Sequence, residues 1–181
     1  MGKRLITWLI VVGALGLVGF YFASPLLAVH NLVEAAKAGD ARRLERMVDF
    51  PAFRDSLKAE LGAEVRDRIS DRLGEEAGGL AGLGMMFAPA IVSGAVDALV
   101  TPQSVAAMVQ TAEAPTPSNP RPRAETGEGD DIRRAYAYRG LDEFVLTLTD
   151  PDYPDRRLDL LMQRRGVFSW KLVGLDIDPE R

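Results

Sequence analysis

The sequence predicts an α+β protein in which a membrane-spanning helix and several amphipathic helices precede a small antiparallel sheet. Three observations support this prediction. An apolar run without charge lies near the N-terminus, helical periodicity continues to about residue 110, and alternating strand patterns begin after residue 131. Helices in one part of a chain and strands in the next are typical of the α+β class.

The apolar run Leu5–Phe22, LITWLIVVGALGLVGFYF, has eighteen residues and no charged side chain. At 1.5 Å per residue it spans about 27 Å, close to the roughly 30 Å hydrocarbon core of a bilayer. Trp8 and Tyr21 lie near its ends, where aromatic rings favour the headgroup zone. We therefore predict that residues 1–23 form a cytoplasmic tip and a transmembrane anchor.

A cleaved signal peptide is the alternative, because Lys3 and Arg4 also provide the basic start of such a peptide. However, the run is longer than the usual signal core of about 7–15 residues, and no small-x-small cleavage site follows it. Cleavage after Ser24 would place Phe22 where a small residue is required. These features favour an anchor that stays in the chain.

Positive charge near the run is concentrated on its N-terminal side, where the α-amine, Lys3 and Arg4 fall together. The other side offers only His30 and Lys37, opposed by Glu34. The positive-inside rule then places the N-terminus in the cytoplasm and exports the rest, which in a bacterium gives a periplasmic domain on the inner membrane. The net charge of −4 becomes about −6 for the exported part, so we expect no affinity for nucleic acid.

Residues 24–110 are predicted to form the helical part of the exported domain. Pro25 is expected to end or bend the anchor helix, with Ser24 capping the helix that follows. A left-handed stop at Gly39 and a cap at Asp40 separate this helix from the next. Leu44, Met47 and Val48 form the predicted inner face of this second helix. In the helices on either side of it, apolar residues recur at helical spacing: Leu26, Val29, Val33, Ala36, and then Phe53, Leu57, Leu61, Val65, Ile69 and Leu73.

The break Asp49-Phe50-Pro51 starts the third helix. We interpret Asp49 as a cap, Phe50 as a wedge that packs on the helices and Pro51 as a helix starter. These residues are expected to build a helical support for the sheet.

Ala77–Val100 is long enough to cross a bilayer, but its five glycines, Pro89 and Asp97 disfavour insertion. We predict a glycine-rich mobile loop and then a helix from Pro89 onward, with Thr101 and the following proline restarting a short helix. Insertion of residues 77–100 as a second membrane pass is the alternative. The predicted apolar positions are Ile91, Val92, Ala95, Val96, Leu99 and Val100, followed by Val105, Met108 and Val109.

Residues 111–131 contain four prolines and no large apolar side chain, which predicts a disordered or extended linker. Residues 132–181 are predicted to complete the domain as a meander of three to four strands packed on the helices. The strand signals are Ile132–Tyr138, the alternating Phe144, Leu146 and Leu148, the alternating Leu158, Leu160 and Met162, and a last run from Trp170 through Leu172 toward Ile177. Residues 150–155 read as a turn, and Arg164–Val167 as a hairpin loop.

The segments GD…LERMVDFPAFRDSLK, DALVTPQ and the Trp170-Lys171-Leu172 ending resemble a bacterial family known only as a domain of unknown function, family 2939. The resemblance extends from about Ser24 to Pro179, apart from the proline-rich linker, and implies no assigned activity. The start of the exported part is also similar to the first helices of NTF2-like domains. That second resemblance implies a curved sheet around a pocket.

The sequence predicts no catalytic, cofactor-binding or metal-binding residues. One histidine and no cysteine leave few nucleophile–base pairs or zinc sites to consider. His30 is expected at a surface near the membrane exit, and the acidic residues of 150–155 are interpreted as turn chemistry. If the domain had a pocket, its candidate acids would be Asp49, Asp97 and Asp142, with Phe144, Leu160 and Trp170 as its lining.

The leading functional hypothesis is a non-enzymatic envelope protein, held in the inner membrane through Leu5–Phe22, whose domain binds or scaffolds another envelope component. Gly19 and Ala23 have a spacing compatible with weak self-association of the membrane helix. The alternatives are an NTF2-like domain that binds a small apolar ligand or acts as a carboxylate-assisted enzyme, and a two-pass membrane protein.

Overall fold

The structure, a computed structural model, describes residues 2–73, 90–112, 132–152, 154 and 157–176. Within these residues, five helices precede one four-stranded antiparallel sheet with the strand order β1-β2-β3-β4. The predicted α+β class and the meander are therefore confirmed. The elements are α1 (Gly2–Lys37), α2 (Ala41–Met47), α3 (Phe50–Leu73), α4 (Ala90–Leu99), α5 (Pro102–Thr111), β1 (Arg133–Tyr138), β2 (Glu143–Thr149), β3 (Arg157–Arg164) and β4 (Trp170–Asp176).

Helix α1 runs without a break through Pro25, so the predicted end and new cap at Ser24 are wrong. Proline removes the backbone N–H that would bond to the carbonyl of Tyr21, four residues earlier. The hydroxyl of Ser24 donates to that carbonyl at 2.8 Å instead. The helix continues because a side chain supplies the donor that the proline lacks.

The two ends of α1 have opposite environments. Its N-terminal part exposes large apolar side chains, for example Trp8 at 70% and Leu15 at 66%. Its C-terminal part is core, with Leu32, Ala35 and Ala36 fully buried. One helix thus supplies both an exposed apolar segment and part of the core of the domain.

The predicted boundaries of the next helices are confirmed. Gly39 has φ +62°, the left-handed conformation that favours glycine at a helix end. Asp40 caps α2 by accepting the N–H of Arg43 at 3.0 Å, and Thr101 caps α5 in a capping box with Ser104. At the second break, Asp49 caps α3 through a longer bond of 3.4 Å from the N–H of Ala52.

The core lies between one face of the sheet and the helices. The predicted alternation is confirmed, since the inward positions of β2, β3 and β4 are nearly inaccessible to solvent. They pack with residues from α1, α2, α3, α4 and α5. The sheet contributes Phe144, Leu146, Leu148, Leu158, Leu160, Met162, Trp170, Leu172 and Leu175.

The outer edge of β4 is covered by the start of α3 and the turn before it. The N–H of Asp49 donates to the carbonyl of Leu172 at 2.8 Å. The hydroxyl of Ser56 accepts the N–H of Leu175 and donates back to its carbonyl, at 3.2 and 3.3 Å. Gly174 leaves room for this approach, because a Cβ there would lie 2.8 Å from the Cβ of Ser56. An edge that would otherwise offer free backbone groups is thereby closed.

The described part of Ala77–Val100 contains α4, whose described residues Ala90–Leu99 lie within the helix predicted from Pro89 onward. Val96 and Val100 are fully buried, and Asp97 pairs with Lys58 at 2.8 Å. Ile91, at the start of α4, is 70% exposed, so the predicted apolar positions of this helix are not all buried.

Several predictions fall outside the described residues. The glycine-rich loop before Ala90, residues 113–131 of the predicted linker, the side chains of Val65, Ile69 and Leu73, and Ile177 are among them. The division at residues 23, 110 and 131 stays a prediction.

Candidate functional site

The ends of all four strands at one side of the sheet meet one short stretch of α1. We call this meeting of Phe20–Pro25 with the β1–β2 turn and the β3–β4 loop the junction. It lies where the apolar run predicted to cross the membrane ends. Its polar contacts join residues that are more than a hundred positions apart in sequence.

Ser24 is the centre of the junction. Its hydroxyl accepts the indole N–H of Trp170 at 2.9 Å while donating to the carbonyl of Tyr21 at 2.8 Å. Ser24 is 3% exposed and Trp170 is 5% exposed, so neither bond has water as a ready substitute. A buried polar group without a hydrogen-bond partner lowers the free energy of unfolding by about 1–3 kcal/mol, so loss of this hydroxyl would destabilise the junction.

Arg164, at the end of β3, links the two loops to the helix. Its side chain is 7% exposed, and its guanidinium carbon lies 3.8 Å from the ring centre of Tyr21 and 4.2 Å from that of Trp170. The same group donates to the carbonyl of Val167 at 2.7 Å and to that of Leu141 at 3.2 Å. Asp142 balances its charge at 3.2 Å. A planar fork between two rings suits arginine and not lysine.

Tyr138, at the end of β1, closes the junction from the other side. Its hydroxyl donates to the carbonyl of Phe22 at 2.6 Å. Its ring lies edge-on to Phe144 at 4.9 Å and to Trp170 at 6.3 Å. Burial raises the pKa of Tyr138 above its usual value, while the nearby charge of Arg164 acts in the opposite direction. The hydroxyl therefore stays protonated at neutral pH and remains a donor.

A second polar group lies on the sheet face opposite the core. Asp159 of β3 is 5% exposed; it accepts the hydroxyl of Thr147 at 2.6 Å and the guanidinium of Arg139 at 2.9 Å. Arg139 also lies 3.8 Å from Asp176. Asp159 is not among the residues predicted from the sequence, although an acid inside the apolar run LDLLM is a usable signal. With its carboxylate already bonded on both oxygens, it acts as a structural ion pair that joins β2, β3 and the end of β1.

The predicted site residues do not come together. Asp49 pairs with Arg165 at 2.9 Å, Asp97 with Lys58, and Asp142 with Arg164, so each carboxylate has a different cation. His30 is exposed on α1, as expected. Phe144, Leu160 and Trp170, the expected pocket lining, are all packed within the core cluster.

Metal ligation has no candidate among the described residues, where no three His, Cys, Asp or Glu side chains are grouped closely enough to hold an ion. In the described part of the turn at 150–155, the carboxylate of Asp150 accepts the N–H of Asp152 at 2.8 Å. This bond is ordinary turn chemistry.

The family model described as "Protein of unknown function (DUF2939)" matches residues 14–108. The chain belongs to this family. The DUF2939 match starts within the apolar run and ends in α5, so it contains the helical side of the junction and precedes the sheet. No curated protein and no solved structure gives a significant match. The resemblance to this family is confirmed, whereas the NTF2-like analogy has no support.

We predict that Ser24→Ala lowers the free energy of unfolding by about 1–3 kcal/mol, because it strands the carbonyl of Tyr21 and the indole of Trp170. Pro25→Ala restores a backbone N–H for that carbonyl. Ser24→Ala should therefore cost about 1 kcal/mol less in the Pro25→Ala background than in the wild type. Urea unfolding of the full chain in detergent micelles, followed by tryptophan fluorescence in a Trp8→Phe background, measures the stability of the four proteins in this double-mutant cycle: the parent, the two single variants and the double variant.

The control is Ser93→Ala, at a half-buried serine of α4. It should change stability by no more than helix propensity, about 0.5 kcal/mol. Equal costs of Ser24→Ala in both backgrounds would show that the hydroxyl does not replace the missing donor.

Proposed function

We propose that this protein is a single-pass envelope protein of the bacterial inner membrane, and that its α+β domain binds or scaffolds another envelope component. The observation that carries the first half is the dual character of α1. Within the described residues, its segment Ile6–Lys37 is long and apolar enough to cross a membrane, and none of its most apolar eighteen-residue window is buried. The same helix continues into the core through Leu32 and Ala36.

The contacts of the junction support an anchor that is not cleaved. The sheet contacts Phe20, Tyr21, Phe22 and Ser24, through Phe168, Arg164, Tyr138 and Trp170 respectively. Removal of a signal peptide near residue 24 would delete these partners and expose Trp170. A domain that uses the last turn of the apolar run as a packing surface requires that turn to remain.

The packing of α4 and α5 supports a single pass. Only when these helices are joined across their 84° bend do they meet the length and composition expected of a span. Each is about 15 Å long, half of a bilayer core. Apart from the exposed Ile91, most of the large apolar side chains of these helices and of the turn between them pack inside the domain, where Val96, Val100, Val105, Met108 and Val109 are buried.

The orientation follows from Lys3 and Arg4, which favour a cytoplasmic N-terminus. The chain has no cysteine, so single cysteines report topology cleanly. In spheroplasts, a membrane-impermeant maleimide should label Asp152→Cys, in the β2–β3 turn, and should label Gly2→Cys only after lysis. Intact mass of the same membrane-fraction protein should show the region from residue 2 onward still attached.

Each alternative gives a different outcome in that experiment. A two-pass protein protects Asp152→Cys until lysis. A cleaved signal peptide gives a soluble chain that starts near residue 25 and lacks the Gly2→Cys site. Either result would rule out the proposed anchor or its topology.

The binding half of the proposal is supported by the sheet face that is not part of the core. On that face one row pairs Ala135 with Thr147 and Thr147 with Asp159, and the neighbouring row pairs Ala137 with Val145 and Val145 with Leu161. Ala135 lies on β1, an edge strand whose residues are mostly exposed. Strand edges and adjoining faces of this kind are common sites of protein association.

A photo-crosslinking residue at Ala135 should capture one defined envelope protein in growing cells. The matched control is the same residue at Glu45, which is exposed on α2 on the helical side. The captured protein is identified by mass spectrometry, and the crosslink should recur from the partner's side. Equal capture from both positions, or none from Ala135, would contradict a binding role for this face.

A further inference from the structure

Two loop tips at the junction expose apolar side chains next to the anchor. Leu141 in the β1–β2 turn is 68% exposed, and Val167 in the β3–β4 loop is 62% exposed. Phe168 follows Val167 and is 39% exposed. Turns usually carry polar residues or glycine, so three apolar side chains on two neighbouring turns indicate an interaction surface. We call Leu141, Val167 and Phe168 the apolar tips.

The apolar tips are held on a fixed frame. Arg164 donates to the carbonyls of Leu141 and Val167, so one guanidinium ties the two loops together. Backbone bonds of 2.9 Å from Arg164 to Asp142 and from Arg165 to Ser169 continue the ladder into both loops. The apolar side chains are thus presented by ordered backbone.

The junction places the apolar tips at the level where the apolar run ends. The ring of Phe168 lies 5.0 Å from the ring of Phe20. Phe20 precedes the end of the run at Phe22 by two residues, or about 3 Å along the helix axis. Any bilayer that holds the run therefore has Phe168 in its headgroup zone, where aromatic side chains are favoured.

The charges around the apolar tips are already paired. Arg164 lies 3.2 Å from Asp142, and Arg165 lies 2.9 Å from Asp49. Among the residues that the structure describes, the two arginines at the tips are thus both paired and form no basic patch that would select anionic lipid. Phe168 joins the tips to the exposed apolar side of α1, because its ring contacts that of Phe20 and because Phe20 and Phe22 are each about half exposed.

We propose that the apolar tips enter the headgroup zone of the same bilayer that holds α1, and so fix the domain against the membrane at a second point. This inference rests on the proposed membrane anchor. The occupant of the surface is lipid because a protein seated there would have to displace lipid from the last turn of the run.

The test uses the full chain in phosphatidylcholine vesicles, with an environment-sensitive fluorophore on single cysteines and a quencher nitroxide near the headgroup end of the lipid chains. The label on Val167→Cys should be quenched and should emit at shorter wavelength. The control label on Asp152→Cys, at the opposite end of strands about 20 Å long, should show neither change. Quenching at position 167 should be the same when phosphatidylglycerol is added.

A label on Leu15→Cys, with a nitroxide deep in the lipid chains, reports the anchor independently. Quenching at position 15 without quenching at position 167 would contradict insertion of the apolar tips while supporting the membrane anchor. No quenching at position 15 overturns both. A label at position 167 that emits at short wavelength without quenching indicates a second copy of the chain, and also overturns the proposal.

A variant test avoids dependence on the label at the tip. Leu141→Asp with Val167→Asp changes two exposed side chains, so the fold should be retained. A label on Phe168→Cys in this background should lose most of its quenching, whereas the label on Leu15→Cys should keep all of it. Unchanged quenching at position 168 contradicts insertion of the apolar tips.

Discussion

The missing backbone donor at Pro25 is the constraint on which the architecture depends. A proline inside a helix costs about 3 kcal/mol, enough to break α1 at this point if nothing compensated. One hydrogen bond from Ser24 to the carbonyl of Tyr21 returns only about 1 kcal/mol. The rest has to come from packing, and the sheet provides it, because Trp170, Arg164 and Tyr138 all contact this turn of the helix.

Helix continuity and sheet docking are therefore coupled. Ser24 can bond to Trp170 only if the turn from Tyr21 to Pro25 keeps its helical shape, and that turn is stabilised by the sheet that covers it. The coupling also connects the two environments of α1. The exposed apolar segment and the core-forming half belong to one continuous helix, so the orientation of the domain follows from the orientation of that helix.

Most elements of the fold follow from local patterns, and the predictions for them hold. Alternation in β2 and β3, the stop at Gly39 and the caps at Asp40 and Thr101 depend on neighbours within a few residues. The same local rule gives the wrong result at Pro25, because its helix turn is stabilised in part by Trp170, which lies 146 positions from Ser24.

The candidate site was harder to predict than the fold for the same reason. Leu141, Val167 and Phe168 have no predicted functional role, because only the folded strands bring Phe168 beside Phe20. Asp159 has no predicted role, because only the fold places Arg139 and Thr147 around it. The acids that the sequence did single out, Asp49, Asp97 and Asp142, are separate ion pairs in the structure.

The most direct test of the central claim is the distance between spin labels on Leu15→Cys and Glu34→Cys in the full chain, measured by double electron–electron resonance in vesicles. These positions lie on opposite sides of Pro25. A continuous helix predicts a narrow distribution near the separation of about 29 Å that its rise of 1.5 Å per residue gives. A broad distribution, or one centred at clearly shorter distances, would show a hinge at Pro25 and contradict the account.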